Sequence, residues 1–282
     1  MNYRHAYHAG NFADVAKHVI VTRIVEYLKR KEAAFRVIDT HAGIGRYDLL
    51  GTEAGKTAEW QGGIGRLMNA SIPEAAMELL APYLEAVRSE NTGAALQHYP
   101  GSPLLVRKLL RKQDRLSAIE LHEEDARTLG AVFAGDYQTR VIHLDGWLAL
   151  GAHVPPKEKR GLVLIDPPFE QPDEFGRLVA GLEKAHRRFS GGTYALWYPI
   201  KALDEVEHFI EALRATGIPK IMNTEMMIRA TSSEPRLDGT GMIIVNPPYT
   251  LESELETLLP LLTKMLADGK GGSFSIDWIN GE

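Results

Sequence analysis

The sequence predicts a doubly wound α/β fold carrying a small helical insertion. Three observations predict it. Short apolar runs rich in β-branched residues recur along the chain, helical-period segments alternate with them, and one long stretch, 49–99, breaks the alternation. A strand that is apolar throughout must be covered on both faces, and helices between such strands supply the cover.

The elements follow in order. Helical spacing predicts a first helix over 11–29 and an apolar run predicts a strand over 35–39. No convincing strand appears between 49 and 99, although 72–87 combines good helix formers with helical spacing. The chain therefore divides into a core, 1–48 and 100–282, and an inserted helical subdomain, 49–99. Insertions after strand C-termini commonly shape substrate access, and a plain surface elaboration fits the same residues. Helices are expected over 103–112, 123–134, 172–187, 201–216 and 251–266. Buried parallel strands are expected over 116–120, 140–145, 162–166, 193–198, 220–227 and 241–246.

A chain of 282 residues can bury a substantial core, and 44% hydrophobic with 24% charged residues is an ordinary composition for a water-soluble fold. No apolar run approaches the roughly 20 residues that span a bilayer, and the first residues lack the apolar stretch of a secretory signal. A cytoplasmic protein without membrane contact is expected. The absence of cysteine excludes a disulfide framework, a thiolate metal site and a thiol nucleophile. The net charge of −5 argues against a general polyanion binder, so any nucleic-acid contact must use locally concentrated positive charge.

The segment Val37-Ile38-Asp39-Thr40-His41-Ala42-Gly43-Ile44-Gly45 is an apolar strand entering a glycine turn. Glycines there let backbone amides approach a ligand where a Cβ would obstruct it. The third glycine of a dinucleotide fingerprint is missing, which argues against a nicotinamide cofactor. The next strands end in Glu120, placed to accept both ribose hydroxyls of an adenosine, and in Asp145, placed to receive its adenine amine. Taken singly, each acid also reads as a helix N-cap or a solvated charge. Together with the glycine turn they favour adenosine binding.

The strongest signal is Asp166-Pro167-Pro168-Phe169 at the end of the run 161–165. The lone pair of an exocyclic amine is delocalised into its purine and points poorly at an electrophile. Asp166 can accept one amine hydrogen and the Pro167 carbonyl the other, favouring a tetrahedral nitrogen and stabilising the positive charge that grows on it. Phe169 offers a face to a base drawn out of its stack. The motif predicts methyl transfer from a sulfonium to adenine N6, with Asp166 catalytic, Pro167 and Phe169 binding substrate, and no metal. A second match, Asn246-Pro247-Pro248-Tyr249, comes late in the chain. Its strand is expected toward the far side of the sheet, making 246–249 a turn or a piece of wall.

With these residues in hand, the chain resembles the RlmJ family of bacterial 23S ribosomal RNA adenine-N6 methyltransferases over nearly its full length. The resemblance rests on Tyr3-Arg4-His5, His8-Ala9-Gly10-Asn11, Ala13-Asp14-Val15, Lys17-His18, Asp39-Thr40-His41-Ala42-Gly43, Tyr99-Pro100-Gly101-Ser102-Pro103, Glu120-Leu121-His122 and Asp166-Pro167-Pro168. Ala195-Leu196-Trp197-Tyr198-Pro199 and Asn246-Pro247-Pro248 belong to it too. It implies a Rossmann-like methyltransferase sheet with a small helical insertion, S-adenosylmethionine as cofactor, and one adenine of 23S ribosomal RNA as target. It further implies that His18, His41, Ser102, Glu120, Asp145, Gly146 and Asp166 contact the methyl donor or its site. Asp166 would be the catalytic residue, and Tyr3 would meet the RNA. Phe169 departs from the tyrosine common in the family motif, which keeps stacking and drops a phenol hydrogen bond.

Without the family, several residues stay ambiguous. His5 and His8 have the spacing of a metal pair but no carboxylate cluster beside them. His18 reads equally as a core histidine, Ser102 as a helix N-cap, and Lys17 as either an anchor for the donor's carboxylate or a solvated charge. Three basic clusters are candidates for RNA: Lys157, Lys159 and Arg160; Arg107, Lys108, Arg111, Lys112 and Arg115; and Lys184, His186, Arg187 and Arg188. The first is preferred because it precedes the Asp166 strand. A monomer acting on bare 23S RNA or an early assembly intermediate is expected. The competing readings are a DNA adenine-N6 methyltransferase, a glutamine-amide methyltransferase using Asn246, and a non-catalytic nucleotide- or RNA-binding module.

Overall fold

A computed structural model describes residues 7–93, 95–231 and 236–281. The chain begins with α1 (Phe12–Lys29), whose start is fixed by the Asn11 side chain accepting the Ala13 and Asp14 N–H groups at 3.0 Å. There follow β1 (Arg36–Asp39), β2 (Arg46–Asp48), α2 (Thr52–Thr57), α3 (Glu59–Gly62), α4 (Ile64–Met68), α5 (Glu74–Arg88) and β3 (His98–Pro100). Next come α6 (Ser102–Leu109), β4 (Arg115–Glu120), α7 (Glu123–Val132), β5 (Thr139–His143), α8 (Gly146–Ala152), β6 (Gly161–Ile165) and α9 (Glu174–Arg188). The last elements are β7 (Thr193–Ile200), α10 (Leu203–Ala215), β8 (Ile221–Met227), β9 (Gly239–Val245), α11 (Leu251–Leu266) and β10 (Ser273–Asn280).

Eight strands form one sheet in the order β10-β8-β9-β7-β6-β1-β4-β5. The pairs β1–β4, β1–β6, β4–β5 and β6–β7 are parallel, as the apolar runs predict. The expectation of parallel strands fails for β9, which runs antiparallel to both β7 and β8. The reason lies in the connection. A parallel return needs a crossover of a dozen or more residues, usually with a helix, and the short link from Met227 to Gly239 allows only a reversal. The reversal also corrects the placement of the second diproline motif. Its strand lies inside the sheet, between β7 and β8, and Asn246 emerges at the edge opposite Asp166.

Two clusters of side chains cover the sheet. On one face, Val15, Val19 and Ile20 of α1 share a core with Leu80, Leu84 and Val87 of α5 and with Leu255, Leu258 and Leu262 of α11. Each such side chain contributes about 1.5–3 kcal/mol on burial. A buried Arg23–Glu254 ion pair at 2.8 Å joins α1 to α11 on this side. On the other face, α8, α9 and α10 pack Leu150, Leu178, Leu182, Phe209 and Leu213 against Ile38, Val163 and Leu196. No described helix is long and apolar enough to cross a membrane.

Besides the short helices of 49–99, β2, β3, β10 and α8 escape the sequence pattern. The segment 49–99 ends in a strand after all, since β3 pairs antiparallel with β2, Tyr47 opposite Tyr99, closing the neck of the helical excursion. It is three residues long and ends in proline, so no alternation announces it. The edge strand β10 alternates polar with apolar residues and is largely exposed, so it lacks the continuous apolar run of the buried strands. Helix α8 has only seven residues, too few for a period to show.

Candidate active site

The carboxyl ends of β1, β4, β6 and β7 open into a cleft of about 750 Å³, the position where open α/β sheets take ligands. At the end of β1, Asp39 is fully buried and accepts the Ser102 hydroxyl at 2.6 Å. Burial pushes its carboxyl up to about 7 against the lowering effect of that hydrogen bond, and the nearby Asp166 charge pushes the same way as burial. Ser102 is the first residue of α6, and Gly101 before it provides no side-chain cap, so backbone N–H groups at this helix start have no side-chain partner from the cap residue.

His41 follows. Burial lowers its pKa to about 4, so the ring is neutral. The Thr40 hydroxyl donates to the Leu164 carbonyl at 2.9 Å, so the 2.9 Å contact between Thr40 Oγ1 and His41 Nδ1 requires Nδ1 to be the donor. His41 Nε2 is then an acceptor. The glycine turn comes next, with φ of +60° at Gly43, where a Cβ would lie 2.3 Å from the Tyr47 hydroxyl.

Glu120, at the end of β4, accepts the Gly43 N–H on one oxygen and the His122 N–H on the other, each at 2.8 Å. The carboxylate is thereby fixed across the turn, with lone pairs to spare for hydroxyl donors; burial raises its pKa. Asp145 is the N-cap of α8, accepting the Trp147 N–H at 2.7 Å through Oδ1. The two sequence readings of Asp145, cap and cleft residue, hold together, since it also lines the cleft. Gly146 admits no side chain: a Cβ would sit 2.3 Å from the Thr40 carbonyl and 2.9 Å from the His41 ring.

Asp166 leaves β6 beside these groups, followed by buried Pro167 and by Phe169 in the left-handed region at φ 53°. The Phe169 ring meets Phe175 and Trp197 edge-on at 5.0 and 5.7 Å, which anchors the loop while leaving Phe169 at the cleft wall. Lys17 is 3% exposed and reaches Asp166 Oδ2 at 2.5 Å and Asp14 Oδ1 at 2.8 Å, with the Trp197 ring 5.7 Å away. Burial alone would lower the ammonium's pKa; the two carboxylates more than offset that and hold it above the usual lysine range. Lys17 is thus not solvated, as one reading of the sequence has it. Sequence reasoning missed Asp14, although its i,i+3 spacing from Lys17 on a helix was available as a signal.

His18 is buried, stacked on Tyr99 at 5.4 Å, with Nδ1 2.8 Å from the Tyr99 hydroxyl, which in turn meets Tyr83 at 3.0 Å. It is a core histidine that also reaches the cleft wall. His8 contacts Glu59 at 3.0 Å. Among the described residues no cluster of three or more His, Cys, Asp or Glu side chains could hold a metal. Tyr3 and His5 lie outside the described residues. Asn246 donates to the carbonyls of Ser190 and Gly192 at 2.8 Å, beside the amino end of β7, and Tyr249 is exposed; the segment is a turn and no part of the cleft wall.

The three basic clusters also lie away from the cleft. Arg160 immediately precedes β6 and donates to the carbonyls of Ala33 and Leu28, at the opposite edge of the sheet from Asp166. Arg107, Lys108 and Arg111 are paired with Asp136, Glu90 and Asp114. The third cluster occupies the last turn of α9, whose first turn is the end near the cleft.

A strand order with two reversed strands late in the chain, β9 and β10, a glycine turn at the end of β1 and successive acids at the ends of β4, β5 and β6 define a Rossmann-like S-adenosylmethionine-dependent methyltransferase. Residues 32–280 match the family model described as ribosomal RNA large subunit methyltransferase D, RlmJ. The chain is 42% identical, over its whole length and that of its relative, to ribosomal RNA large subunit methyltransferase J of Haemophilus influenzae. It is 40% identical to the protein of that name from Escherichia coli, over 99% of each chain. The crystal structure of protein LPL1258 from Legionella pneumophila superposes with a TM-score of 0.88 at 34% identity, covering 96% of this chain and 98% of that one. The chain belongs to the RlmJ family of ribosomal RNA methyltransferases.

Proposed function

We propose that this protein methylates the N6 amine of a single adenine in 23S ribosomal RNA, with Asp166 as the catalytic residue. The observation that carries the proposal is the position of Asp166, at the carboxyl end of β6 and directly beside the β1 end that bears Asp39 and His41. Bound S-adenosylmethionine supplies an electrophilic methyl on a sulfonium. The site fits that donor: a glycine turn follows β1 at the cleft, and fixed acids stand at Glu120 and Asp145.

In this reading Glu120 accepts ribose hydroxyls and Asp145 accepts the donor's adenine amine. Gly146 and His41, with Nε2 as acceptor, form the wall beside that amine. Ser102 offers its helix-terminal N–H to the donor's carboxylate, a favourable place for an anion. His18 closes the wall from α1. Asp166 accepts one hydrogen of the target amine while Lys17 fixes the opposite oxygen, and the Pro167 carbonyl accepts the other. Fixed acceptors aimed at the charge developing on nitrogen are worth more in an enclosed site than in water. Phe169 and Tyr3 border the extruded base.

Purified protein with labelled donor and unmodified 23S RNA tests this. Digestion to nucleosides is expected to give N6-methyladenosine as the single labelled product, at one site, and a matched DNA is expected to stay unlabelled. Label in any other nucleoside, or in protein amide, overturns the proposal.

A further inference from the structure

The proposed substrate is a polyanion, the chain is acidic, and none of its basic sequence clusters reaches the cleft. The geometry points to a different docking surface: an arc formed by Arg66, Lys201, Arg229 and Arg236 that receives RNA phosphates around the target nucleotide. This rests on the RNA reading above and adds to it where the polymer lies.

All four residues line the cleft, and they come from three separate segments: α4, the end of β7 and the link between β8 and β9. Arg66 stands on α4 and donates to the Ala267 carbonyl at 2.6 Å. The adjoining Asp268 donates its N–H to the Ile228 carbonyl at 2.8 Å, next to Arg229. Arg229 pairs with Asp268 and with Asp238, the latter at 3.6 Å, and Arg236 pairs with Asp238 at 2.7 Å. Asp238 donates its N–H to the Ile200 carbonyl at 3.1 Å, next to Lys201. The arc is therefore continuous from the inserted helices to the end of β7.

Its charge is both fixed and available. The fully buried Asp238 carboxylate holds two guanidinium groups in place, so little freedom is lost when they meet a phosphate. Arg66, Lys201 and Arg236 are exposed. Asp238 and Asp268 offset two of the four cations, and no described carboxylate lies within ion-pair distance of Arg66 or Lys201, leaving an excess of positive charge along the arc itself. The cluster preferred from the sequence is separated from this edge by the five residues of β6, about 17 Å of extended chain.

The test compares the two edges in the full-length protein. Affinity for a 23S fragment containing the target adenine is measured across a salt series for wild type, the double variant Arg66→Glu with Lys201→Glu, and the double variant Lys157→Glu with Lys159→Glu. Donor affinity is followed by calorimetry. The arc variant is expected to bind RNA at least tenfold more weakly, with a log–log salt slope shallower by about 1.4–1.8 for two lost phosphate contacts. Its donor affinity and the RNA affinity of the Lys157/Lys159 variant are expected to match wild type. Wild-type RNA affinity and slope in the arc variant overturn the surface while leaving the methyltransferase reading intact. A wild-type protein that binds donor but shows no salt-dependent RNA binding overturns the RNA reading and the surface with it.

Discussion

Lys17 Nζ lies 2.5 Å from Asp166 Oδ2, joining residues 149 positions apart in the chain. The same ammonium is 2.8 Å from Asp14 Oδ1, and the second Asp14 oxygen accepts the Gly10 N–H at 2.9 Å. The carboxylate proposed as catalytic is thus tied through one buried cation to the start of α1. One oxygen of Asp166 is held by Lys17, which fixes the carboxylate at the cleft wall.

Replacing Lys17 with Met keeps the stem and removes the cation, leaving two carboxylates uncompensated. Breaking a buried pair by deleting one partner costs about 3–5 kcal/mol. Lys17→Met is expected to lower the melting temperature clearly. In the fraction that stays folded, it is expected to reduce the single-turnover methyl-transfer rate by roughly tenfold or more, as loss of a preorganised acceptor does. Unchanged turnover in folded variant would sever the link between Lys17 and Asp166 orientation.

His41 gives a pH dependence of stability with a definite sign. Its folded pKa of about 4 lies below the reference value of 6.5, so between those limits the unfolded chain binds a proton that the folded chain does not. The contribution is complete above pH 6.5 and is lost as pH falls toward 4, amounting to about 3 kcal/mol. Urea titrations at pH 7.5 and pH 5 are expected to show a smaller acid-side loss of stability in His41→Asn than in wild type. An equal loss in both would place the titration elsewhere.

Asp39 acts in the opposite sense. Its folded pKa of about 7 stands above the reference 3.8, so its contribution is complete below 3.8 and is lost as pH rises through 7, by about 4 kcal/mol. Asp39→Asn keeps an acceptor for the Ser102 hydroxyl and removes the buried titration. Relative to wild type, the variant is expected to gain stability at pH 8 compared with pH 5. A difference that does not change between the two pH values would contradict this assignment.

How much of this was legible follows from what a strand pattern encodes. Asp39, Glu120 and Asp166 each end an apolar run, with Asp145 just beyond another, and parallel pairing brings their strand ends to one edge, so the acids of the site could be read in order. The Lys17–Asp166 pair could not, because it depends on how α1 lies across β6. Asn246 lies at the end of the sheet away from the cleft because β9 is reversed, which no composition signal announces. Charge runs were the poorest guide. Lys157, Lys159 and Arg160 precede β6 in sequence and for that very reason sit at the end away from the cleft, while Arg66, Lys201 and Arg236 are isolated in sequence and share the cleft lining only after folding.

Gly146 makes the case for a donor site testable without touching an ionisable group. A methyl placed there would lie 2.3 Å from the Thr40 carbonyl, a backbone atom that cannot yield cheaply, and 2.9 Å from the His41 ring. Gly146→Ala is expected to weaken S-adenosylmethionine binding by at least tenfold in calorimetry, with a stability loss of about 1–3 kcal/mol from overpacking. Donor affinity equal to wild type in folded variant would remove Gly146 from the donor site.

Asn246 and Asp166 belong to like-looking motifs, and their variants are expected to fail in different ways. Asn246 sits at φ 51°, donates to Ser190 and Gly192 through its amide, and gives its own N–H to the Lys220 carbonyl at 3.0 Å. Asparagine adopts that backbone at lower cost than alanine, so Asn246→Ala loses two hydrogen bonds and gains strain, for a cost of about 2–3 kcal/mol. Asn246→Gly loses the same bonds without the strain and is expected to fall between alanine and wild type in stability. Both are expected to transfer methyl at the wild-type rate per folded molecule, because the turn lies across the sheet from the cleft. Asp166→Ala deprives buried Lys17 of one of its two carboxylates and is expected to lose stability, and per folded molecule to lose transfer by a factor of roughly 100–1000, the usual cost of deleting one preorganised group facing developing charge. Rates normalised to folded protein separate the two cases, and loss of transfer in folded Asn246→Ala would reverse the assignment of the two motifs.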